Sequence, residues 1–316
     1  MGLRAMAIVR INAIGETPLL HGSAGPAEPA LRRADAGDGP AIVMIHGFKY
    51  LPGHQMHCPH RHILSLHPEE LPWRSPSWPR QLGFGTGLRD EGLAVAFGWQ
   101  ARGGLRAAQR RAGQAGRALA QVVSTLRETR PDRPVHVVAH SLGTEVALEA
   151  LAHLPAGAIG RVISLTGACY RSRTEAALRT EAGRAAEFFN ISSRENDTFD
   201  FLFERLIPPP RPGDRALGHG IEAPNAVTLQ LDCPGTLAHL DRLGAAIGAP
   251  EHRICHWSSY MRPGVLQFYK DLLRRPETLP LSLLSRGLPA RPAKRWSRLI
   301  APPSLSLPLP FVQKAS

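Results

Sequence analysis

Lysine is nearly absent from this chain: of its 38 basic residues only Lys49, Lys270, Lys294 and Lys314 are lysines, and the rest are arginine. The arginines are scattered, with no run of five like charges and no helix carrying a continuous basic stripe. The net charge of +12 therefore reflects composition rather than a binding face, and no nucleic-acid partner is expected. Cysteine is scarce too. Cys58, Cys169, Cys233 and Cys255 form no C-x-x-C pair and no regular spacing, so reduced thiols are the default in a chain long enough to fold without staples. Long apolar runs are missing: none reaches the roughly 18 residues a spanning helix needs. The opening MGLRAMAIVRINAIGE is broken by Arg10 before it attains the apolar core of a signal peptide, which leads to the expectation of a soluble, cytoplasmic protein. There is no internal repeat.

What is present is a globular composition, 43 % hydrophobic, and a regular alternation of short apolar runs with helical patterns. Ala41–Ile45, Leu93–Phe97, Val135–Ala139, Arg161–Leu165, Glu187–Ser192 and Ala226–Leu231 read as strands. A helix is predicted from Leu105 to Thr129, where Leu105, Ala108, Ala112, Ala115, Leu119, Val122, Val123 and Leu126 define one buried face. Others are predicted from Leu142 to about Leu154 and from Val265 to Leu273. Such alternation implies a mostly parallel sheet covered on both faces, an α/β fold over residues 1–276. Three stretches exceed what simple connections need: 51–80, 166–186 and 204–225. Residues 277–316 are rich in Pro, Leu and Arg and read as a partly ordered extension.

The chemistry concentrates in Val135-His136-Val137-Val138-Ala139-His140-Ser141-Leu142-Gly143. A strand, a sharp turn with Ser141 at its apex and a helix follow one another directly. Such a turn needs small residues two before and two after the serine, where strand and helix would otherwise collide. Gly143 meets this demand; Ala139 adds one methyl group. A serine after a strand can also serve merely as a helix cap. The flanking strand and amphipathic helix favour the nucleophile. A second piece is Ile45-His46-Gly47-Phe48, an H-G-x loop after an early strand.

On these two motifs the chain resembles the α/β-hydrolase family over residues 41 to about 275. The resemblance implies an α/β-hydrolase fold, a mostly parallel central sheet with helices on both faces and lid-like insertions. It also implies an oxyanion hole formed by the backbone N–H groups of Phe48 and Leu142. His46, Gly47 and His140 beside it are expected to contact substrate. The family order is serine, acid, histidine. The acid expected on the loop after Glu187–Ser192 is Asp197, with Asp200 and Asp232 as rivals. The base expected before the last helix is His256, with His219, His239 and His252 also available. The activity implied is carboxylic-ester hydrolysis, esterase-like or lipase-like, through an acyl-enzyme on Ser141, acting on a small-molecule ester or acyl substrate without a cofactor. Thioesterase, acyltransferase or amidase chemistry fits the same constellation, and a hydrolase-fold binding protein without turnover is the alternative of another class.

Two further features carry weaker signals. His54, His57, Cys58, His60, His62 and His67 are numerous enough to invite a metal, but they match no recognised zinc spacing, and no metal is expected. Arg286, Arg291, Arg295, Trp296 and Arg298 are the residues that would make a peripheral contact with an anionic membrane. Their prolines forbid a long amphipathic helix, which favours an extension without that role.

Overall fold

The computed structural model describes residues 8–34, 37–69, 76–290 and 292–300. Within these, the apolar runs become strands of one eight-stranded sheet. The strands are β1 (Ile8–Ile14), β2 (Thr17–Leu20), β3 (Ala41–Ile45), β4 (Leu93–Trp99), β5 (Val135–His140), β6 (Arg161–Leu165), β7 (Glu187–Ser192) and β8 (Ala226–Gln230). The order is β2-β1-β4-β3-β5-β6-β7-β8; β2 runs antiparallel to β1 and every other pair is parallel. The first two strands were not expected from the sequence. β1 alternates buried Val9, Ile11 and Ala13 with Arg10 and Asn12, the pattern of a strand near a sheet edge rather than of a continuous apolar run.

The helices are α1 (Glu28–Arg33), α2 (Trp78–Gln81), α3 (Leu105–Thr129), α4 (Gly143–Leu151), α5 (Arg171–Leu178), α6 (Glu181–Ala185), α7 (Asp197–Leu206), α8 (Pro234–Arg242), α9 (Ser258–Met261), α10 (Val265–Arg274), α11 (Leu281–Arg286) and α12 (Ser297–Ile300). Because successive strand residues point to opposite faces, β3 feeds two core layers. Val43 and Ile45 join Val137 and Ala139 under α3, α4, α5 and α6. Ile42 and Met44 join Val138 and Ile163 under α2, α8, α10 and α11. The apolar positions predicted for α3 are buried, except Leu105 at its start.

Two of the three long stretches pack into the body of the domain. In 166–186, α5 and α6 bury Ala177, Leu178 and Ala182 in the core layer of α4, so this segment is the crossover between β6 and β7. In 204–225, Ile207 and Ala216 cluster with Tyr170 and Phe203, and the Tyr170 hydroxyl donates to the Ile207 carbonyl (2.6 Å). The described parts of 51–80 bury Ile63, Leu64 and Trp78 against the sheet, while residues 70–75 lie outside the described residues.

The segment after residue 276 packs on the rest of the chain where it is described. Leu279 and Leu284 enter the core beside Leu240, and the Ala293 carbonyl accepts from Arg194 Nε (2.9 Å). Arg291 and residues 301–316 lie outside the described residues. Each buried leucine is worth roughly 1.5–3 kcal/mol. A chain ending at residue 276 is therefore expected to melt at least about 5 °C below the full chain. Equal melting temperatures by calorimetry would mean that the segment contributes nothing to the fold.

Candidate active site

The chain reverses its winding direction at the middle of the sheet. From β3 it passes outward to β4, then returns through α3 to β5 on the other side of β3 and continues to β6, β7 and β8. The carboxyl ends of β3 and β5 therefore border the crevice that such a switch point opens in a parallel sheet. His46-Gly47-Phe48 leaves β3 there, and Ser141 leaves β5.

Ser141 sits at φ +54°, a left-handed conformation costing a non-glycine residue about 1–2 kcal/mol. Its own backbone holds it there. The Ser141 N–H donates to the Leu165 carbonyl at the end of β6 (2.9 Å), and its carbonyl accepts from Thr144 (3.0 Å) and Ala168 (3.0 Å). Two glycines allow the turn to close. A Cβ on Gly143 would lie 2.6 Å from the His46 carbonyl oxygen, and one on Gly47 would lie 2.7 Å from the Ser141 Cβ. The smallness of Gly143 is thus a direct steric demand, as the motif implies. Ala139, the other flanking position, is fully buried in register with Ile45 and Ser164, and its single methyl is accommodated.

His256 reaches the serine. Its Nε2 lies 2.8 Å from Ser141 Oγ, and its Nδ1 lies 2.6 Å from Oδ1 of Asn196. The imidazole packs between Phe199 and His140, each with ring centroids 4.7 Å away. Burial, helped by the neighbouring His140, pushes its pKa well below the usual 6.5. The ring is therefore neutral at pH 7, with a lone pair available at Nε2 when the proton is on Nδ1.

The residue against Nδ1 is not the one expected. Asp197 faces away from His256, and its carboxylate is enclosed by Arg295 (3.1 Å), Arg194 (3.5 Å) and the Trp296 N–H (2.5 Å). The cause is local: a 3-10 turn over Arg194–Asn196 runs directly into α7. One residue along such a coil rotates the side chain by about 100°. Asn196 faces the histidine and Asp197 faces the protein. Asp232 is no closer to the role, since its Oδ1 accepts from the Arg194 N–H (3.0 Å) and Gln230 (3.1 Å). Asp200 touches Asn196 Nδ2 (2.9 Å) rather than the imidazole. His219 lies beside Glu204, His239 bonds the Leu284 carbonyl and His252 is exposed.

The two N–H groups expected as oxyanion donors belong to Phe48, just after β3, and Leu142, just after Ser141. Among the described residues neither the Phe48 nor the Leu142 N–H donates to a protein carbonyl. His46 fixes the first of them. It is fully buried, its Nδ1 bonds the Gly47 carbonyl (2.9 Å) and its Nε2 accepts the Trp99 N–H (3.0 Å). In a trans peptide the N–H points opposite to the C=O, so anchoring the Gly47 carbonyl aims the Phe48 N–H the other way. Burial holds the His46 pKa at about 3, so this role is carried by the neutral ring. Both ring nitrogens of His46, expected to contact substrate, are thus committed to bonds within the protein. His140 is buried too, its ring bonding the His256 carbonyl (3.2 Å), and Gly47 lies close against Ser141.

The histidine-rich stretch has a packing role. His60 Nε2 pairs with Asn12 Oδ1 (2.8 Å), and its ring lies 4.1 Å from that of His21. Among the described residues no three His, Cys, Asp or Glu side chains are grouped to hold a metal ion.

Sheet order, switch-point crevice and serine turn together make the chain an α/β hydrolase by fold. The model of one family, described as "Alpha/beta hydrolase of unknown function (DUF900)", matches residues 81–165, which run from α2 past the serine turn to the end of β6. Among solved structures, the chain is similar to a Trichoderma reesei cutinase in complex with a phosphonate inhibitor. That match has 14 % identity and a TM-score of 0.26, and covers 42 % of this chain and 54 % of the cutinase, about half its length. It is also similar to the mature Bacillus licheniformis lipase BlEst2, at 14 % identity and a TM-score of 0.37, covering 61 % of this chain and 84 % of the lipase. No curated protein matches it.

One acidic side chain that the sequence did not single out binds the histidine loop to the sheet. Glu195 is fully buried, pairs with the equally enclosed Arg262 (2.5 Å) and accepts the His252 N–H (3.0 Å), while its carbonyl accepts from Cys255 (2.8 Å). The loop carrying His256 is thereby fastened to the one carrying Asn196. Removing one partner of a buried pair costs about 3–5 kcal/mol because the other charge is left alone. Glu195→Gln is expected to lose stability on that scale in urea unfolding, and an unchanged midpoint would show that the pair is dispensable.

Proposed function

We propose that the chain is a serine hydrolase that cleaves carboxylic esters through an acyl-enzyme on Ser141. The observation that carries this reading is the 2.8 Å contact between His256 Nε2 and Ser141 Oγ, made at a serine turn beside two uncommitted backbone N–H groups. Ser141 would give its proton to Nε2 as Oγ attacks the ester carbonyl carbon. The oxygen then carries a negative charge facing the Phe48 and Leu142 N–H groups. Collapse breaks the bond to the alcohol, which leaves with the proton from Nε2. Water repeats the sequence: its proton passes to Nε2, its oxygen attacks the acyl carbon, and the acid departs as Ser141 recovers its proton.

The surroundings favour apolar groups on the substrate. Phe199 stacks on His256, and Trp257, about half exposed, meets both rings edge-on. Asn196 in place of an acid accepts the Nδ1 proton and orients the ring, but it brings no full negative charge to the imidazolium formed during attack.

Two outcomes follow. A fluorophosphonate probe is expected to label Ser141, located by peptide mass mapping. His256→Ala should slow that labelling at least about 100-fold, the scale of a lost general base. Absence of label on folded protein would instead favour the binding-protein alternative. Because neutral His256 is the active form and its pKa is lowered, activity on an activated ester should be abolished only well below pH 6.5. Complete loss of activity at or above 6.5 would contradict the buried, uncompensated imidazole.

A further inference from the structure

A carboxylate does stand behind His256, one residue further out than a triad would put it. Asn196 presents Oδ1 to His256 Nδ1 (2.6 Å) and Nδ2 to Asp200 Oδ1 (2.9 Å). Asp200 is buried at 4 % exposure, one turn along α7, and its Oδ2 accepts from Arg295 Nη1 (2.9 Å). Hydrogen bonds thus run in one direction, from Ser141 to His256, to Asn196, to Asp200, where Arg295 meets them from the other side.

This order matters because an amide, unlike a carboxylate, has a wrong way round. Its two ends are nearly the same shape, but one only accepts and the other only donates. With Oδ1 toward the imidazole, the proton sits on Nδ1 and Nε2 is free to take the Ser141 proton. With the amide turned over, NH2 would donate to Nδ1, the imidazole proton would move to Nε2, and the base would be blocked. An ionised Asp200 can only accept, so it claims the NH2 end. Arg295 favours that ionised form against burial, which pushes the carboxyl up to about 7.

We propose that Asp200, held by Arg295, is the positioning residue of this site: it locks the Asn196 amide in the orientation that leaves His256 Nε2 free to act as base. The proposal rests on the reading of Ser141 and His256 as nucleophile and base.

The test exchanges the two side chains in the full chain. Asp200→Asn places one amide behind another, so that neither is locked. Its kcat on p-nitrophenyl butyrate and its fluorophosphonate labelling rate are expected to fall about 10-fold, less than the roughly 100-fold of losing the base outright because His256 remains, with KM changed less than about twofold. The double variant Asn196→Asp/Asp200→Asn puts a carboxylate, which has no wrong face, directly on the imidazole, with an amide behind it that can donate. It should regain at least about half of the lost rate, a rescue that a merely structural Asp200 would not give. Wild-type kinetics in Asp200→Asn, or a double variant no faster than the single one, would overturn the proposal. If Asp200→Asn does not fold, Arg295→Gln, nearer the surface, provides the second reading. It should lower kcat at unchanged KM, and a wild-type rate would overturn the proposal. Labelling of the wild-type protein at Ser141 leaves the hydrolase reading standing in each of those cases, whereas no wild-type label would remove both.

Discussion

The left-handed backbone at Ser141 is the constraint on which the rest of the site depends. Nothing in the serine itself favours it. It persists because β6 and the loop after it bond both faces of the Ser141 peptide, and because Gly143 and Gly47 leave no atom where the turn must close. The same closeness that admits the turn brings the end of β3 against the serine. The two candidate oxyanion donors are then set by strand register, not by a loop that has to find its place.

Around that turn the protein uses neutral histidines as building parts. His46 donates and accepts at once, joining the Gly47 carbonyl to the Trp99 amide. His140 holds the backbone of His256, and burial brings its pKa down to about 4. A neutral imidazole suits this work because it offers one donor and one acceptor on a rigid ring. It also keeps further positive charge away from the His256 ring.

The elements legible in the sequence are those whose signal is local. The strand cores Ala41–Ile45, Arg161–Leu165 and Glu187–Ser192, and α3 from end to end, follow from apolar period and length. So does the serine turn, where sterics dictate residue type. His256 could be placed by its position before α10. Asn196 could not, because residue type pointed to an acid and the sequence does not say which side of a tight coil faces inward. An amide carbonyl accepts an N–H as a carboxylate does, and only the backbone turn over Arg194–Asn196 decides between Asn196 and Asp197. Glu195 and Arg295 were illegible for another reason. Their partners, Arg262 and Asp200, lie 67 and 95 residues away along the chain.

The position of Arg295 also has a bearing on how the molecule comes into being. Ser141, Asn196 and His256 all leave the ribosome before it, and so do the strands that carry the serine turn. Until residues 292–298 have emerged, Asp197 and Asp200 lack the guanidinium that bridges them, and Asp197 lacks the Trp296 N–H. The groups that bridge Asp197 and Asp200 are thus synthesised after the serine, the histidine and the strands they stand behind.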